Sequence, residues 1–263
     1  MIIRKSPHEI EQMARAGEVV AETLALIGER IRTGATTAEL DALAEEFIRS
    51  RGGEPTFKGY RGYPASICAS PNAMVVHGIP GPYELAKGDI LSIDVGVTLN
   101  GFVADAAYTF PVGEIDQDAK RLLEACQAAL VAGIEQARAG NRLTDISHAV
   151  QVATEAAGFT VVRTLVGHGI GRVMHEDPQI PNYGEPGRGP ELTVGMTLAI
   201  EPMINAGAAD VYLHEDEWSI STKDGSLSAH FENSIAITEA GPRILTTSRG
   251  ADLAATSFER NDL

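Results

Sequence analysis

The tightest constraint on the fold is the pair Asn100-Gly101, which lies between two runs rich in apolar and β-branched residues. Both residues accept a positive φ, so an Asn-Gly pair in this setting is the strongest short-range signal for a β-hairpin. With these two residues in the turn, Leu99 faces Phe102 and every other pairing follows. The sequence therefore predicts one antiparallel hairpin over residues 90–110.

This pairing gives the hairpin two different faces, because side chains alternate along each strand and match across it. One face is almost wholly apolar and must be packed; it carries Ile93, Val95, Val97, Leu99, Phe102, Ala104, Ala106, Tyr108 and Phe110. On the other face Asp94 lies opposite Ala107, and Asp105 lies opposite Gly96. Two such carboxylates repel unless a cation lies between them. The alternative is the wet side of a half-buried hairpin with two solvated aspartates.

Composition narrows the class of protein. The 263 residues suffice for one large domain or two small ones, and 44% hydrophobic with 22% charged residues is ordinary for a soluble globular protein. The net charge of -15 argues against a nucleic-acid binder and suits cationic ligands. Two cysteines, Cys68 and Cys126, make neither a disulfide framework nor a CxxC site. Without a signal peptide or a transmembrane run, a cytoplasmic protein is expected.

Four helices are expected, two before and two after the hairpin. They run from the Ser6 cap to about Arg30, from the Thr36 cap to Gly52-Gly53, from Asp116 to Gly140, and from the Thr144 cap to Gly158. Each pair is followed by β-rich segments that carry carboxylates. This layout predicts two related α/β halves that meet at a carboxylate cluster.

Three further residues are out of place in their segments. His168 lies among glycines at alternate positions, which lack the dinucleotide-binding spacing but allow close approach of the backbone. Glu201 interrupts an apolar strand before Pro202, and a buried carboxylate needs a partner. Glu232 lies in an alternating run, residues 229–238, that predicts a strand. A glycine-rich turn with incidental histidines, and a strand-end His77, are the structural alternatives.

Together these residues form a candidate metal site made of Asp94, Asp105, His168, Glu201 and Glu232. Oxygen ligands with one imidazole suit Mn, Fe, Co or Zn, and Mg less well. A structural zinc site would be rich in Cys or His. Five ligands are enough for two ions about 3.5–4 Å apart, as in aminopeptidases, phosphatases and nucleases. In such sites a bridging water becomes hydroxide near neutral pH and attacks a carbonyl or phosphoryl group.

The contexts of these five residues resemble the methionine aminopeptidases: Ile-Asp-Val-Gly, Gly-Phe-Val-Ala-Asp, Gly-His-Gly-Ile-Gly, Ile-Glu-Pro-Met and Phe-Glu-Asn-Ser. The segments around His77 and His175 match as well, and the resemblance covers residues 3–247. It implies a type I enzyme with the pita-bread α/β fold: two pseudo-symmetric halves, a curved antiparallel sheet inside and helices outside. Residues 1–263 then form one catalytic domain with a frayed tail over 247–263.

The resemblance also implies an activity and a role for each residue. The enzyme would remove the initiator methionine when the second residue is small, through attack of a metal-bridging hydroxide on the scissile carbonyl. Asp94 would hold one ion, Asp105 and Glu232 both, and His168 and Glu201 the other. Glu201 would also shuttle a proton, His77 would lie near the scissile nitrogen, and His175 would stabilise the oxyanion. The methionine pocket would be lined by Phe57, Tyr60, Tyr63, Cys68, Met174 and Trp218.

The implied cofactors are two divalent ions, Co, Mn, Fe or Zn, whose identity the sequence leaves open. The implied partners are the N-termini of nascent polypeptides, with action at the ribosome left open; a monomer without nucleic-acid specificity or membrane contact is expected. Two rivals share the scaffold: an Xaa-Pro-type peptidase and a non-catalytic binding protein. A phosphatase or nuclease with the same metal chemistry is a remote third.

The chain departs from the family pattern at two places. Ala106-Ala107 follow Asp105 where many relatives have a hydroxyl residue, so a hydrogen bond behind this ligand is expected to be missing. Met174 stands where an aromatic residue is common, so looser selectivity at the pocket is expected.

Overall fold

The computed structural model describes residues 1–247, and all elements named here lie in that range. Its helices are α1 (Pro7–Gly28), α2 (Thr37–Ser50), α3 (Gln117–Gln136) and α4 (Leu143–Ala156), with one 3₁₀ turn at Tyr60–Gly62. The strands are β1 (Glu54–Pro55), β2 (Cys68–Pro71), β3 (Met74–Val76), β4 (Ile90–Leu99), β5 (Phe102–Pro111), β6 (Thr160–Val161), β7 (Val166–Gly169), β8 (Glu176–Pro181), β9 (Thr197–Ile200), β10 (Met203–Asn205), β11 (Val211–Leu213), β12 (Ile220–Thr222), β13 (Ser228–His230), β14 (Asn233–Thr238) and β15 (Gly241–Ile244).

The predicted hairpin is confirmed, with β4 and β5 paired without a register shift. Leu99 pairs with Phe102, and the turn residues Asn100 and Gly101 have φ values of 52° and 76°. The two aspartates of the polar face lie opposite Ala107 and Gly96, as predicted. Strands β1 and β2 pair with β4 on its other edge, which gives a four-stranded antiparallel sheet.

The apolar face of the hairpin is the centre of the main hydrophobic core. Val95, Val97 and Ala104 are fully buried there, in one cluster with Leu24 and Ile27 of α1. Burying such an aliphatic side chain contributes roughly 1.5–3 kcal/mol. The core therefore holds one face of the hairpin against α1 and leaves the carboxylate face directed toward the second half of the chain.

Three helix starts agree with the sequence and one does not. Ser6 and Thr36 cap α1 and α2 with the predicted capping boxes, and the side chain of Asp116 caps α3. The prediction that Thr144 caps α4 is wrong, because the Thr144 hydroxyl is bonded to the backbone of Arg188. The helix begins at Leu143, and α3 ends at Gln136, four residues before Gly140.

The strands of the second half are interrupted where the sequence predicts continuity. The predicted single strand over residues 229–238 is wrong near its start, since β13 ends at His230 and β14 begins at Asn233. In the break, the Glu232 N–H donates to the Ala107 carbonyl at 2.9 Å instead of to a strand neighbour. A similar break separates β9 from β10 and contains Glu201.

None of the helices in residues 1–247 is long and apolar enough to cross a membrane. The predicted tail lies outside the described residues except for Thr247. The single domain over 1–263 stays a prediction.

Candidate active site

The polar face of the hairpin forms the floor of a buried site. Asp105 is only 2% exposed, and Asp94 lines the same cavity, so the alternative of two solvated aspartates is wrong. Gly96 lies beside them because the Phe57 ring packs over it; a Cβ on this residue would lie 2.7 Å from a ring carbon. The missing side chain lets an aromatic ring cover the carboxylates.

His168 enters from β7 with one ring nitrogen free to face the carboxylates. Its Nδ1 lies 3.0 Å from the Gly169 carbonyl. A carbonyl oxygen only accepts, so Nδ1 carries the hydrogen and Nε2 keeps its lone pair. Nε2 lies 3.4 Å from Glu201 Oε1 and 3.9 Å from Asp105 Oδ2. This is the tautomer that a metal-binding histidine needs.

The glycines around His168 are sites of close backbone approach. A Cβ on Gly167 would lie 2.5 Å from the Ala199 carbonyl oxygen, and one on Gly169 would collide with the Asp177 carbonyl. These contacts hold β7 tightly between its two neighbouring strands, β8 and β9. The glycines therefore fix the depth at which His168 enters the site.

The predicted ligands come together with oxygen atoms that lack a partner. Asp105, His168 and Glu232 each offer a ligand atom, and these atoms lie within 4.8 Å of one another. Among residues 1–247, Asp94 Oδ1, Asp105 Oδ1 and Glu232 Oε1 are buried without a hydrogen-bond partner. Buried polar atoms are normally paired, and an ion accounts for this exception. The residues present therefore fit a divalent ion.

The electrostatics of the cluster also favour a cation. Burial raises the pKa of Asp94 to about 7. Burial together with the Glu232 and Asp94 charges raises the pKa of Asp105 well above its usual range. The pKa values of Glu201 and Glu232 are raised in the same way, by burial first and then by neighbouring carboxylates. A divalent cation among these groups would offset the cost of ionising them.

Two further histidines face the same cavity. His77 follows β3 with a φ of 60°, which is uncommon for a non-glycine residue and is found at functional sites. Burial lowers its pKa to about 4. The His175 ring lies 4.4 Å from that of His168, measured between centroids. Both histidines thus lie where a group bound at the carboxylate cluster would reach them.

Sequence reasoning missed the partner of His175. The Tyr60 hydroxyl lies 2.8 Å from His175 Nδ1, and the two rings are stacked with centroids 5.5 Å apart. Tyr60 was expected only as part of the pocket wall. The two residues are 115 positions apart, and no local pattern signals their contact.

His230 was also missed. Its Nε2 is buried 3.8 Å from Glu201 Oε2 and has no hydrogen-bond partner among the described residues. Burial and the nearby His77 lower its pKa to about 3, so the ring is neutral. The available signal was its position two residues before Glu232, which puts both residues on one face of the predicted strand over residues 229–238.

An apolar compartment adjoins the carboxylates. The cavity is lined by all six residues predicted for the methionine pocket, namely Phe57, Tyr60, Tyr63, Cys68, Met174 and Trp218, and also by Arg61. The Tyr63 ring contacts the Trp218 ring edge-on, and its hydroxyl donates to the Gly78 carbonyl at 2.9 Å. The polar atom of Tyr63 is therefore satisfied behind the wall, and an aromatic surface faces the cavity.

Comparison with known proteins agrees with this arrangement. The sequence model of metallopeptidase family M24 matches residues 11–239. The chain belongs to metallopeptidase family M24. It is 55% identical to the methionine aminopeptidase of Clostridium perfringens (strain 13 / Type A), over 94% of this chain and 99% of that protein.

Comparison with solved structures agrees on the fold. The crystal structure of methionine aminopeptidase from Thermotoga maritima matches with a TM-score of 0.93 and 46% identity, over 94% of this chain and all of that one. The predicted pita-bread fold is thereby confirmed. A prolidase from Pyrococcus horikoshii OT3 matches with a TM-score of 0.77 at 22% identity, and only 64% of that chain is covered. The prolidase thus shares the fold, while the higher sequence identity is to the methionine aminopeptidases.

Proposed function

We propose that this chain is a metal-dependent aminopeptidase that removes N-terminal methionine from polypeptides whose second residue is small. One observation carries the proposal. A single cavity joins a carboxylate–imidazole cluster to an apolar compartment that contains aromatic rings and sulfur. The carboxylate–imidazole cluster suits metal-dependent hydrolysis, and the apolar compartment suits a thioether side chain. The Clostridium and Thermotoga relatives carry the name of this activity.

Asp94, Asp105, His168, Glu201 and Glu232 would hold two divalent ions, of Co, Mn, Fe or Zn. Bound ions of this kind polarise a carbonyl oxygen and lower the pKa of water. The partnerless oxygens of Asp94, Asp105 and Glu232 support this assignment. The neutral His168, whose Nε2 faces the same cluster, supports it as well.

Glu201 is the proposed proton carrier. Its Oε1 lies beside His168 and its Oε2 faces His230, and burial raises its pKa well above the usual range. A carboxylate with a raised pKa accepts a proton from water and returns it to the leaving amine near neutral pH. The neutral His230 ring lies on one side of this carboxylate, with its Nε2 3.8 Å from Glu201 Oε2.

The two other histidines act on the substrate itself. His77 would lie near the scissile nitrogen, and His175 would direct its Nε2 toward the oxygen of the carbonyl that is attacked. The Tyr60 hydroxyl on Nδ1 fixes the His175 ring. A positioned donor at the developing oxyanion typically contributes 10²–10³-fold to kcat. The six-residue apolar pocket would take the methionine side chain.

The proposal extends to the cellular setting. The protein would be a cytoplasmic monomer that acts on the N-termini of nascent polypeptides, at the ribosome or after release. Both cysteines, Cys68 and Cys126, are buried free thiols, which suits a reducing compartment. The acidic chain, with a net charge of -15, gives no support for nucleic-acid recognition.

The test is hydrolysis of three matched peptides, Met-Ala-Ser, Met-Leu-Ser and Ala-Pro-Ser. Protein stripped of metal is titrated with Co, Mn, Fe(II) or Zn. Release of methionine from Met-Ala-Ser alone, and only with metal, is the expected result, and it ranks the ions. Cleavage of Ala-Pro-Ser would move the assignment to the Xaa-Pro peptidases. Folded protein that cleaves none of them with any ion would favour a binding protein on this scaffold.

A further inference from the structure

A buried ion pair lies outside the proposed catalytic groups, directly behind one of them. The ammonium group of Lys5 contacts the carboxylate of Glu176, and the two side chains are only 3% and 6% exposed. Glu176 follows His175 in sequence. The segment between β7 and β8, residues 170–175, carries both His175 and the pocket residue Met174.

Each partner of the pair is bonded to a different part of the fold. Glu176 Oε1 accepts the Arg172 N–H at 2.9 Å, which closes the turn on itself. The backbone N–H of Lys5 donates to the Gly195 carbonyl at 2.7 Å, and its ammonium group also donates to the Ile3 carbonyl. The pair therefore fastens the turn to the N-terminal segment and to the loop before β9.

The third glycine of the His168 motif is explained by the same pair. A Cβ on Gly171 would lie 2.5 Å from Glu176 Oε1 and 2.7 Å from Lys5 Nζ. Glycine at this position lets the turn pass directly over the two charged groups. The Gly171 carbonyl in turn accepts the Val103 N–H at 2.8 Å, which ties the turn to β5.

Stability alone does not account for such a pair. Moving two charges out of water costs several kcal/mol for each ion, and apolar replacements of buried pairs are often neutral or stabilising. What a buried pair supplies is a defined geometry, since neither charge can move away from the other without a large cost. Here the geometry concerns the turn that presents His175.

We propose that Lys5 and Glu176 are positioning residues, which hold the 170–175 turn so that His175 points at the substrate carbonyl. The inference rests on the proposed function, because it requires His175 to act on the substrate. Neither side chain lines the cavity, so both act through His175. A displacement of about 1 Å at a catalytic group can cost about 10²-fold in rate.

The test uses the double variant Lys5→Met/Glu176→Gln, which removes both charges and leaves no unpaired ion. We expect kcat on Met-Ala-Ser to fall about 10- to 100-fold while KM and metal content stay close to wild type. The matched control is Lys87→Met/Glu114→Gln, an exposed pair that should change neither constant. If the double variant unfolds, Lys5→Arg and Glu176→Gln are measured singly, and wild-type kcat in both would overturn the inference.

The decisive measurement repeats the double variant in a His175→Ala background. If the pair acts through His175, its removal there should cost no further activity. An equal loss in both backgrounds would show a general structural role and overturn the inference. Amide hydrogen exchange of metal-free protein gives a second readout, in which the Arg172 amide should exchange faster in the double variant.

The two proposals can fail separately. Wild-type protein that does not cleave Met-Ala-Ser counts against the proposed function and against a catalytic role of the pair, and the Arg172 amide exchange then tests only whether the pair holds the 170–175 turn. An active wild type with an equally active double variant overturns only the positioning role.

Discussion

The two halves of the chain present their carboxylates in different ways. In the first half, Asp94 and Asp105 lie on unbroken ten-residue strands with a regular register. In the second half, Glu201 and Glu232 lie in breaks between strands. A regular ladder fixes two side chains through local pairing. A side chain in a break between strands has a fixed position only if another part of the protein holds the backbone there. In this protein the first half of the chain holds it.

The contact between the halves follows alternate residues of β5. The Ser234 hydroxyl accepts the Asp105 N–H at 3.0 Å and donates to the Asp105 carbonyl at 2.8 Å. The Glu232 N–H donates to the Ala107 carbonyl. The Thr109 hydroxyl bonds in the same two-way manner to the backbone of His230. These bonds form a seam in which two strand ends of the second half are held along one strand of the first.

The seam also bears on the departure at Ala106-Ala107, where many relatives have a hydroxyl residue. A hydroxyl is absent after Asp105, but Ser234 supplies one to the Asp105 backbone from the other half. Ala106 faces the core, as expected, and is 2% exposed. Asp105 Oδ1 lacks a hydrogen-bond partner among residues 1–247, as an oxygen reserved for an ion would, so the hydrogen bond expected to be missing behind this ligand stays a prediction.

The largest expected effect is that of Glu232→Ala, which tests whether the two halves share the ions. If Glu232 and Asp105 bridge both ions, either alanine variant should lose both ions and about 10³-fold or more in kcat/KM, beyond the 10–100-fold of outer partners. Metal content and Met-Ala-Ser hydrolysis are measured together. Glu239→Ala, an exposed carboxylate in the β14–β15 turn, is the control. A Glu232→Ala protein with two ions and near-wild-type turnover would reject the ligand assignment.

The second largest effect is expected for a substitution of His77, which belongs to the first half but lies outside the hairpin. His77→Asn should keep its ions and lose about 10²–10⁴-fold in kcat, the usual contribution of a positioned acid or base. Asparagine is preferred to alanine because it tolerates the φ of 60° found here. Metal loss in this variant would instead identify His77 as a ligand.

The difference between the halves also separates the features that could be predicted from the sequence from those that could not. The hairpin register and the caps of α1 and α2 depend on residues close in sequence, and both predictions are confirmed. The break at Glu232 depends on a bond to Ala107, 125 residues away, so a simple alternation pattern predicted one strand instead. The partners Tyr60–His175 and Lys5–Glu176 are likewise long-range contacts, which carry no local signal.

Removing the ions should make the stability of the folded protein depend on pH. Burial raises the pKa of all four carboxylates, Asp94 to about 7. The folded state then retains protons that the unfolded state has released, so stability falls as pH rises. Between about pH 4 and 6.5 the buried histidines oppose this, because burial lowers the pKa of His168 and His77 to about 4. Between pH 6.5 and about 8 the carboxylates dominate; at higher pH the buried thiols of Cys68 and Cys126, whose pKa burial raises, lower the stability in the same direction.

The measurement is Tm from pH 6.5 to about 8, below the titration of the unfolded thiols, with a chelator and with added Co or Mn. Each proton that the folded state retains and the unfolded state releases lowers the free energy of unfolding by about 1.4 kcal/mol per pH unit. In a chain of this size, each kcal/mol changes Tm by about 2–4 °C. The fall should disappear with metal and become smaller in Glu232→Gln. A metal-free Tm that is flat or rises over this range would show that the carboxylates are not held protonated in the fold.

The smallest effect concerns the seam itself. Ser234→Ala removes the hydroxyl that bonds both backbone groups of Asp105 and leaves them buried without that partner, at a cost of about 1–3 kcal/mol. Activity should fall less than for any ligand variant, since the carboxylates remain. Ser147→Ala is the matched control, because the buried Ser147 hydroxyl in α4 has no hydrogen-bond partner among the described residues. Equal Tm values for the two serine variants would mean that the halves are held together by apolar packing, and that the hydroxyl seam only follows from it.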